Sequence, residues 1–381
     1  MWYNRKMSEY NPRLLDLYTD YIITSFGQVT ATGMSLVLND EVGHDQVTRM
    51  LTNSHLDSKT IWKAVKSQIR KIEGSEGILI IDDSVGEKPY MDENSIVTYH
   101  YDHSQGKTIK GINFMSCCYE TSWEGESVCL PLQVEVIAKT EPYVDKKSGK
   151  IRYRSKKTKN EIFKEMLLQI KKNQIEYTYI VADLWFASAD NMEFIHQDLK
   201  KKFVMPIKSN RNIRLLKEGE EFLTKDQGSR TFQPVESFEL KEDTAFRAEI
   251  SGIHFEVRLI KHIYRNKDGT EATIFLITND LEVSEEDMFK TYQRRWAIEP
   301  YHKSLKQNAS LMKSPAKTKW TQRNHIMASI LGYIKLEGLK ILTKVNHFAL
   351  RCRMYIKATQ ASQAELVKIR EECKLRPILE M

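Results

Sequence analysis

Gly77-Ile78-Leu79-Ile80-Ile81-Asp82-Asp83-Ser84 decides how the rest of the chain is read. A continuous apolar run of strand length suits the buried centre of a sheet, where both faces are covered. It ends on two acids. Working outward, further strands are predicted over residues 108–119 and 128–138, the latter with Leu130, Leu132, Val134 and Val136 alternating against Gln133 and Glu135. An amphipathic helix follows over residues 159–172. Residues 177–182 then form a strand ending in Asp183, Ser188 caps a helix to about residue 201, and residues 203–208 make another strand.

Three strands, helix, strand, helix, strand and a later helix is the order of the RNase H-like α/β fold, in which strand ends and a late helix bring carboxylates together. The core is therefore expected over residues 76–208, completed by a helix within 284–310. Residues 209–283 read as a β-rich insertion, with strand-like runs at 245–250, 253–260 and 271–277 and a turn signal at Asn266-Lys267-Asp268-Gly269. Residues 1–75 read as a helical DNA-binding domain and 311–381 as a basic helical C-terminal region. Within 1–75, the turn through Gly43 and the polar Gln46, Thr48 and Arg49 fit a helix-turn-helix, and a plain helical bundle fits equally.

The chain has 381 residues, 41% of them hydrophobic and 29% charged, which predicts more than one domain. No apolar run is long enough for a membrane span, and Met1-Trp2-Tyr3-Asn4-Arg5 lacks the apolar stretch of a secretion signal, so a cytoplasmic location is expected. The five cysteines form no CxxC pair and read as core residues in a reducing compartment. The net charge of +7 is uneven: from His302 onward there are sixteen Lys/Arg against five Asp/Glu, and residues 145–159 add a second basic cluster around Tyr153. Two such blocks with aromatics inside point to a polyanion.

A helix start is written at Ser284, with Asp287 completing a capping box and Val283 stapling to Met288. In the helix that follows, Tyr292, Arg295, Glu299, His302 and Lys306 are spaced by three, four, three and four residues, which puts them on one face. A solvated stripe with i, i+4 ion pairs would account for this alone. Pro300 lacks an amide proton and predicts a kink or helix restart beside Glu299.

Tyr292, Arg295, Glu299 and Lys306 match at every spacing the Y-R-E-K signature of the DDE transposases of bacterial insertion sequences, the insertion-sequence-four type. Ile81-Asp82-Asp83-Ser84 resembles that family's first-aspartate motif and Ala182-Asp183-Leu184-Trp185-Phe186 its second. The resemblance implies a DNA transposase that cuts element ends and transfers strands into target DNA. Its catalytic and metal-holding residues would be Asp83, Asp183 and Glu299, with two Mg²⁺ or Mn²⁺ ions per site, and such hard ions prefer oxygen ligands. Successive strand residues face opposite sides, so Asp82 and Asp83 do not both serve; the family match selects Asp83, with Asp82 as the fallback. Arg295, Lys306 and Tyr292 would hold phosphates, while Trp185 would either stack a flipped base or fill the core. His302 has no role in the signature and reads as a packing or surface residue. The partners implied are double-stranded DNA, at terminal inverted repeats and at the target, and a second protomer in a synaptic homodimer. Two other readings remain, a transposase-derived DNA-binding protein without catalysis and a non-transposing RNase H-like nuclease.

Overall fold

Asn11 accepts the Leu14 amide and Pro12 supplies a preset φ, so the first helix begins where its first orphan amides are met. The computed structural model describes residues 10–102, 106–146, 149–217, 219–220, 222, 231–266 and 268–374. Its helices open with α1 (Pro12–Thr24), α2 (Ala31–Val37), α3 (His44–Asn53) and α4 (Ser58–Ile72). There follow β1 (Ile78–Glu87), β2 (Val97–Asp102), β3 (Lys107–Trp123), β4 (Glu126–Val136), β5 (Lys139–Val144), β6 (Ile151–Ser155) and α5 (Lys159–Lys172). Next come β7 (Tyr179–Ala182), α6 (Ala189–Glu193), β8 (Lys202–Ile207), β9 (Asn212–Leu215), β10 (Gln233–Pro234), β11 (Ala245–Ile250), β12 (Val257–Arg265) and β13 (Glu271–Thr278). The chain closes with α7 (Glu285–Gln293), α8 (Ile298–Gln307), α9 (Lys319–Thr343) and α10 (His347–Glu372).

Two compact units result: one runs from Asp57 to Tyr301, and the other joins the chain up to Leu56 to the chain from His302 onward. This division differs from the expected boundary near residue 75 and from separate N- and C-terminal regions. The reason is packing. Helices α1 and α3 are short and amphipathic and bury Leu15, Tyr18, Ile22, Val47 and Met50 within a unit whose long α9 is buried from Thr321 through Tyr333 and beyond. Buried polar hooks fix the pairing: Asn324 accepts the Leu56 amide and donates to Leu51 O and Ser54 O, while Tyr18 Oη meets His325 Nδ1 at 2.8 Å. Helix α4 belongs to the other unit, where the Ser58 hydroxyl is hydrogen-bonded to both the O and the N of Val134 on β4.

Helices α2 and α3 stand at the helix-turn-helix positions, with Gln46, Thr48 and Arg49 exposed. The turn is made differently than the glycine suggested. Asn39 and Asp40 take the left-handed conformation, residue types that tolerate it, and Gly43 is an extended N-cap of α3.

In the larger unit the sheet runs β10-β9-β11-β12-β13-β8-β7-β1-β3-β2, with β4 also on β3. β1, β7 and β8 are parallel and β3 is antiparallel to β1. A mixed sheet with β4-β3-β1-β7-β8 at its heart is consistent with the expected RNase H-like core. The insertion is no separate body, because β13 pairs antiparallel with the free edge of β8 and β9–β12 extend the same sheet. β1 does not end at the acids; pairing with β3 continues to Glu87 opposite Gly111. Three cysteines (Cys117, Cys118, Cys129) are core residues as read, but Cys352 and Cys373 are exposed, on α10 and at its C-cap.

The β1–β3 approach tests this packing. A Cβ on Gly111 would lie 2.3 Å from the Gly86 carbonyl oxygen, a backbone atom that cannot swing away, whereas one on Gly74 would meet nothing within 4 Å. Gly111→Ala should lower stability by about 2 kcal/mol or more and Gly74→Ala by no more than about 0.5 kcal/mol, read from urea unfolding of the full chain. Equal effects would contradict the close approach.

Candidate active site

The parallel register pairs Ile81 with Ala182, so the next residue on each strand, Asp82 and Asp183, emerges side by side at the same sheet end. Asp183 caps a 3₁₀ turn (Leu184–Phe186), its Oδ1 accepting the Trp185 amide at 2.9 Å. Because β1 stays regular through this point, Asp82 and Asp83 face opposite sides. Asp82 lies opposite Ser116 on β3, whose Oγ is 3.1 Å from the Tyr301 hydroxyl of α8, so the late helix covers the Asp82 face. Asp83 faces the other way. Its Oδ2 accepts from Asn113 Nδ2 at 2.7 Å and from Lys159 Nζ, at the first residue of α5, also at 2.7 Å.

Burial, then the charge of Asp183, pushes the Asp82 carboxyl up to about 7, with Arg295 partly opposing. Asp183 is also raised, by burial first and then by Asp83, against the Trp185 amide, Arg295 and Lys159. Three aspartates thus feel one another, and one guanidinium bears on two of them.

That guanidinium comes from a broken helix. Ser284 caps α7 as predicted, its Oγ accepting the Asp287 amide. α7 then stops at Gln293, a 3₁₀ turn spans Arg294–Ala297, and α8 restarts at Ile298 with Pro300 in its first turn, where no amide is required. A 3₁₀ turn advances about 120° per residue instead of 100°, so four residues add roughly 80°. The single stripe expected of a straight helix is therefore split between Arg295 and Glu299. Tyr292 is buried, with the Arg295 guanidinium 5.6 Å over its ring. The Arg295 side chain is only 15% exposed and its Nε is buried without a hydrogen-bond partner. The Glu299 side chain is 64% exposed, with Oε1 3.8 Å from Arg295 Nη2. Lys306 is exposed in the last turn of α8, in the chain segment assigned to the smaller unit, and His302 is half-buried.

The strand register therefore sets Asp82 beside Asp183, Asp83 faces the other side of β1, and Glu299 lies 3.8 Å from Arg295, whose charge also bears on Asp82 and Asp183. Among the described residues, the one trio of acidic or histidine side chains whose ligand atoms lie within 4.8 Å of one another is Glu242, Asp243 and His262, on the insertion. Glu242 there is already held by Arg265 through two hydrogen bonds. Sequence reasoning missed Asn113 and Lys159, which only strand pairing and the start of α5 carry to Asp83. It also missed Arg294, which ties the 3₁₀ turn to Glu120 of β3. Trp185 is 59% exposed, so it does not fill the core. It lines a cleft of about 400 Å³ with Lys208, whose Nζ lies 5.6 Å over the indole, and Arg211.

Two family models match the chain. One, described as DDE superfamily endonuclease, covers residues 8–231, more than half of the length; the other, Transposase DDE domain, covers residues 151–335. Among solved structures, a Drosophila P element transposase strand transfer complex matches at 9% identity with a TM-score of 0.24, over 48% of this chain and 37% of that one, so the match spans little more than a third of that chain's length. No curated protein matches.

The raised Asp82 carboxyl has a consequence for stability. Its folded value, about 7, lies above the ordinary 3.8, so ionising it costs the fold as pH rises between these values. Asp82→Asn should raise the melting temperature by several degrees at pH 8, and the gain should shrink as pH falls below both values, toward pH 3, where the wild-type group is largely protonated in both states. A gain independent of pH would remove the carboxylate charge as its cause.

Proposed function

The chain belongs to the DDE superfamily of endonucleases, and from that premise we propose that it is a DNA transposase of the insertion-sequence-four type. It cuts DNA at the ends of a mobile element and joins the freed 3′-OH to target DNA, in a cut-and-paste reaction carried out by two protomers in a synaptic complex. The observation that carries the reading is the placement of Asp82 beside Asp183 where the parallel β1–β7 ladder ends, with Asp83 next along β1 and the charge of the nearly buried Arg295 bearing on both Asp82 and Asp183.

The donor set suits hard divalent cations, since it is all carboxylate oxygen. Asp83 and Asp183 would hold Mg²⁺ or Mn²⁺, two ions per site, with Glu299 as third carboxylate and Asp82 as the alternative first. When bound, the ions supply Lewis-acid stabilisation of the attacking and leaving oxygens.

The chain's own residues do the rest. Lys159 and Asn113 fix one oxygen of Asp83 and so orient its carboxylate. Arg295, with an unpartnered Nε and a planar fork, is suited to grip a phosphate next to the scissile bond. The Tyr292 hydroxyl, on the same side chain cluster, donates to a phosphate oxygen. Trp185, exposed one turn from Asp183, stacks a base drawn out of the duplex.

The test uses the full chain, Mg²⁺ and a linear duplex carrying the inverted repeat that flanks the gene. Wild type should cut at the terminus. Asp183→Asn and Glu299→Gln should each lose cleavage by more than the roughly 10–100-fold expected of an outer-shell partner, while still shifting the duplex on a gel. Comparing Asp82→Asn with Asp83→Asn identifies the first carboxylate as the one whose loss is equally severe. A duplex bound but uncut by wild type would instead mean a binding protein without catalysis.

A further inference from the structure

Outside the large sheet stands a separate two-stranded ribbon, β5 with β6. Its register puts Pro142 opposite Tyr153 and Val144 opposite Ile151 on one face, and Glu141 opposite Arg154 and Tyr143 opposite Arg152 on the other. Neither face is covered. Val144 is 63%, Ile151 68% and Tyr153 57% exposed, and both arginines are exposed too. An isolated two-stranded hairpin is marginal in water, so its retention without a covering layer points to something outside the chain that it meets.

Charge indicates what that is. Residues 139–157 carry eight Lys/Arg and two Asp/Glu. One of the two acids, Asp145, pairs with Arg152 at 2.9 Å, while the Arg154 guanidinium lies 5.9 Å over the Tyr143 ring. Lys147 and Ser148 of this basic segment lie outside the described residues.

The β6 arm is rooted at the candidate active site and the β5 arm on β2. Beyond β6, Thr158 caps α5 and Lys159 bonds Asp83; at the start of β5, Lys139 Nζ donates to Tyr99 O on β2. His100, next along β2, feels Lys139, Lys159 and Asp83 together. Six residues of extended chain reach about 20 Å from that root, and the major groove of B-DNA, about 12 Å wide, admits a two-stranded ribbon.

We propose that the β5–β6 ribbon is a DNA-gripping arm, whose Arg152 and Arg154 lie against the phosphate backbone of the duplex flanking the cleaved bond. This rests on the DNA reading above. The arm adds affinity and orientation and does no chemistry, and phosphate contacts of this kind carry no sequence information.

Salt dependence of binding tests it. Fluorescence anisotropy of the full chain with a duplex of about 30 base pairs, without divalent metal and over roughly 50 to 300 mM salt, compares wild type with the double variant Arg152→Ala/Arg154→Ala. Each lost phosphate contact flattens the slope of log K against log salt by about 0.9, so the double variant should lose about 1.8 and bind about tenfold or more weakly near 0.1 M salt. Arg152→Lys/Arg154→Lys should restore the slope, and the melting temperatures should be unchanged. An unchanged slope with normal wild-type binding overturns the arm alone; wild type failing to bind the duplex overturns the arm and the transposase reading together. If Ile151→Ser/Tyr153→Ser splits a dimer in sedimentation while the arginine variant keeps the wild-type slope, the ribbon is a contact between copies and the proposal fails.

Discussion

Parallel pairing of β1 with β7 is the constraint on which the site depends. Both strands are apolar and buried up to Ile81 and Ala182, where the parallel ladder stops, while β1 runs on along β3. Whatever residue follows on each is then forced next to its neighbour. Here both are acids, so the fold itself brings carboxylates together against their mutual repulsion. A sheet flanked on one side by β3 and on the other by β8 cannot relieve that repulsion by slipping, since a shift of one residue would reverse the faces of every side chain in the strand.

Against this concentration of negative charge the chain sets cations from two directions. Lys159 arrives at the start of α5 and takes one oxygen of Asp83, and Arg295 arrives from a 3₁₀ turn between two helices. Burial first, and then the neighbouring aspartates, keep Asp82 and Asp183 raised despite the opposing charge of Arg295. A site that holds uncompensated charge gives up stability that better-paired residues would supply, a cost that functional sites commonly carry. The helix break serves the same geometry: Arg294 anchors the turn to Glu120, which lets Arg295 point toward the acids while Glu299 is carried round the axis.

The smaller unit follows a different logic. Its core is a long helix, α9, buried over most of its length, and the short helices at the other end of the chain complete it. Buried Asn324 and His325 make the match specific, since each has polar atoms satisfied only when the α1 and α3 segments are in place.

Residue order alone determined a good deal. The end of β7 before Asp183, the helix at 159–172, the cap at Ser284 and a helix restart near Pro300 were legible because each rests on short-range rules: apolar runs, capping residues and the missing amide of proline; the end expected of β1 at its acids was not, since pairing with β3 carries that strand on to Glu87. The two basic blocks were equally plain, although not that one of them would stand out as a bare ribbon. What only the tertiary structure decided were matters of pairing and phase. The faces of Asp82 and Asp83 followed from β1 continuing along β3 to Glu87, Lys159 and Asn113 became partners of Asp83 through contacts 76 and 30 residues apart, and the break between Arg295 and Glu299 came from a 3₁₀ turn that no spacing rule announces. Local rules read the chain a few residues at a time, whereas a carboxylate's neighbours are chosen by hydrogen-bonded strands and packed helices that the chain brings together from far apart.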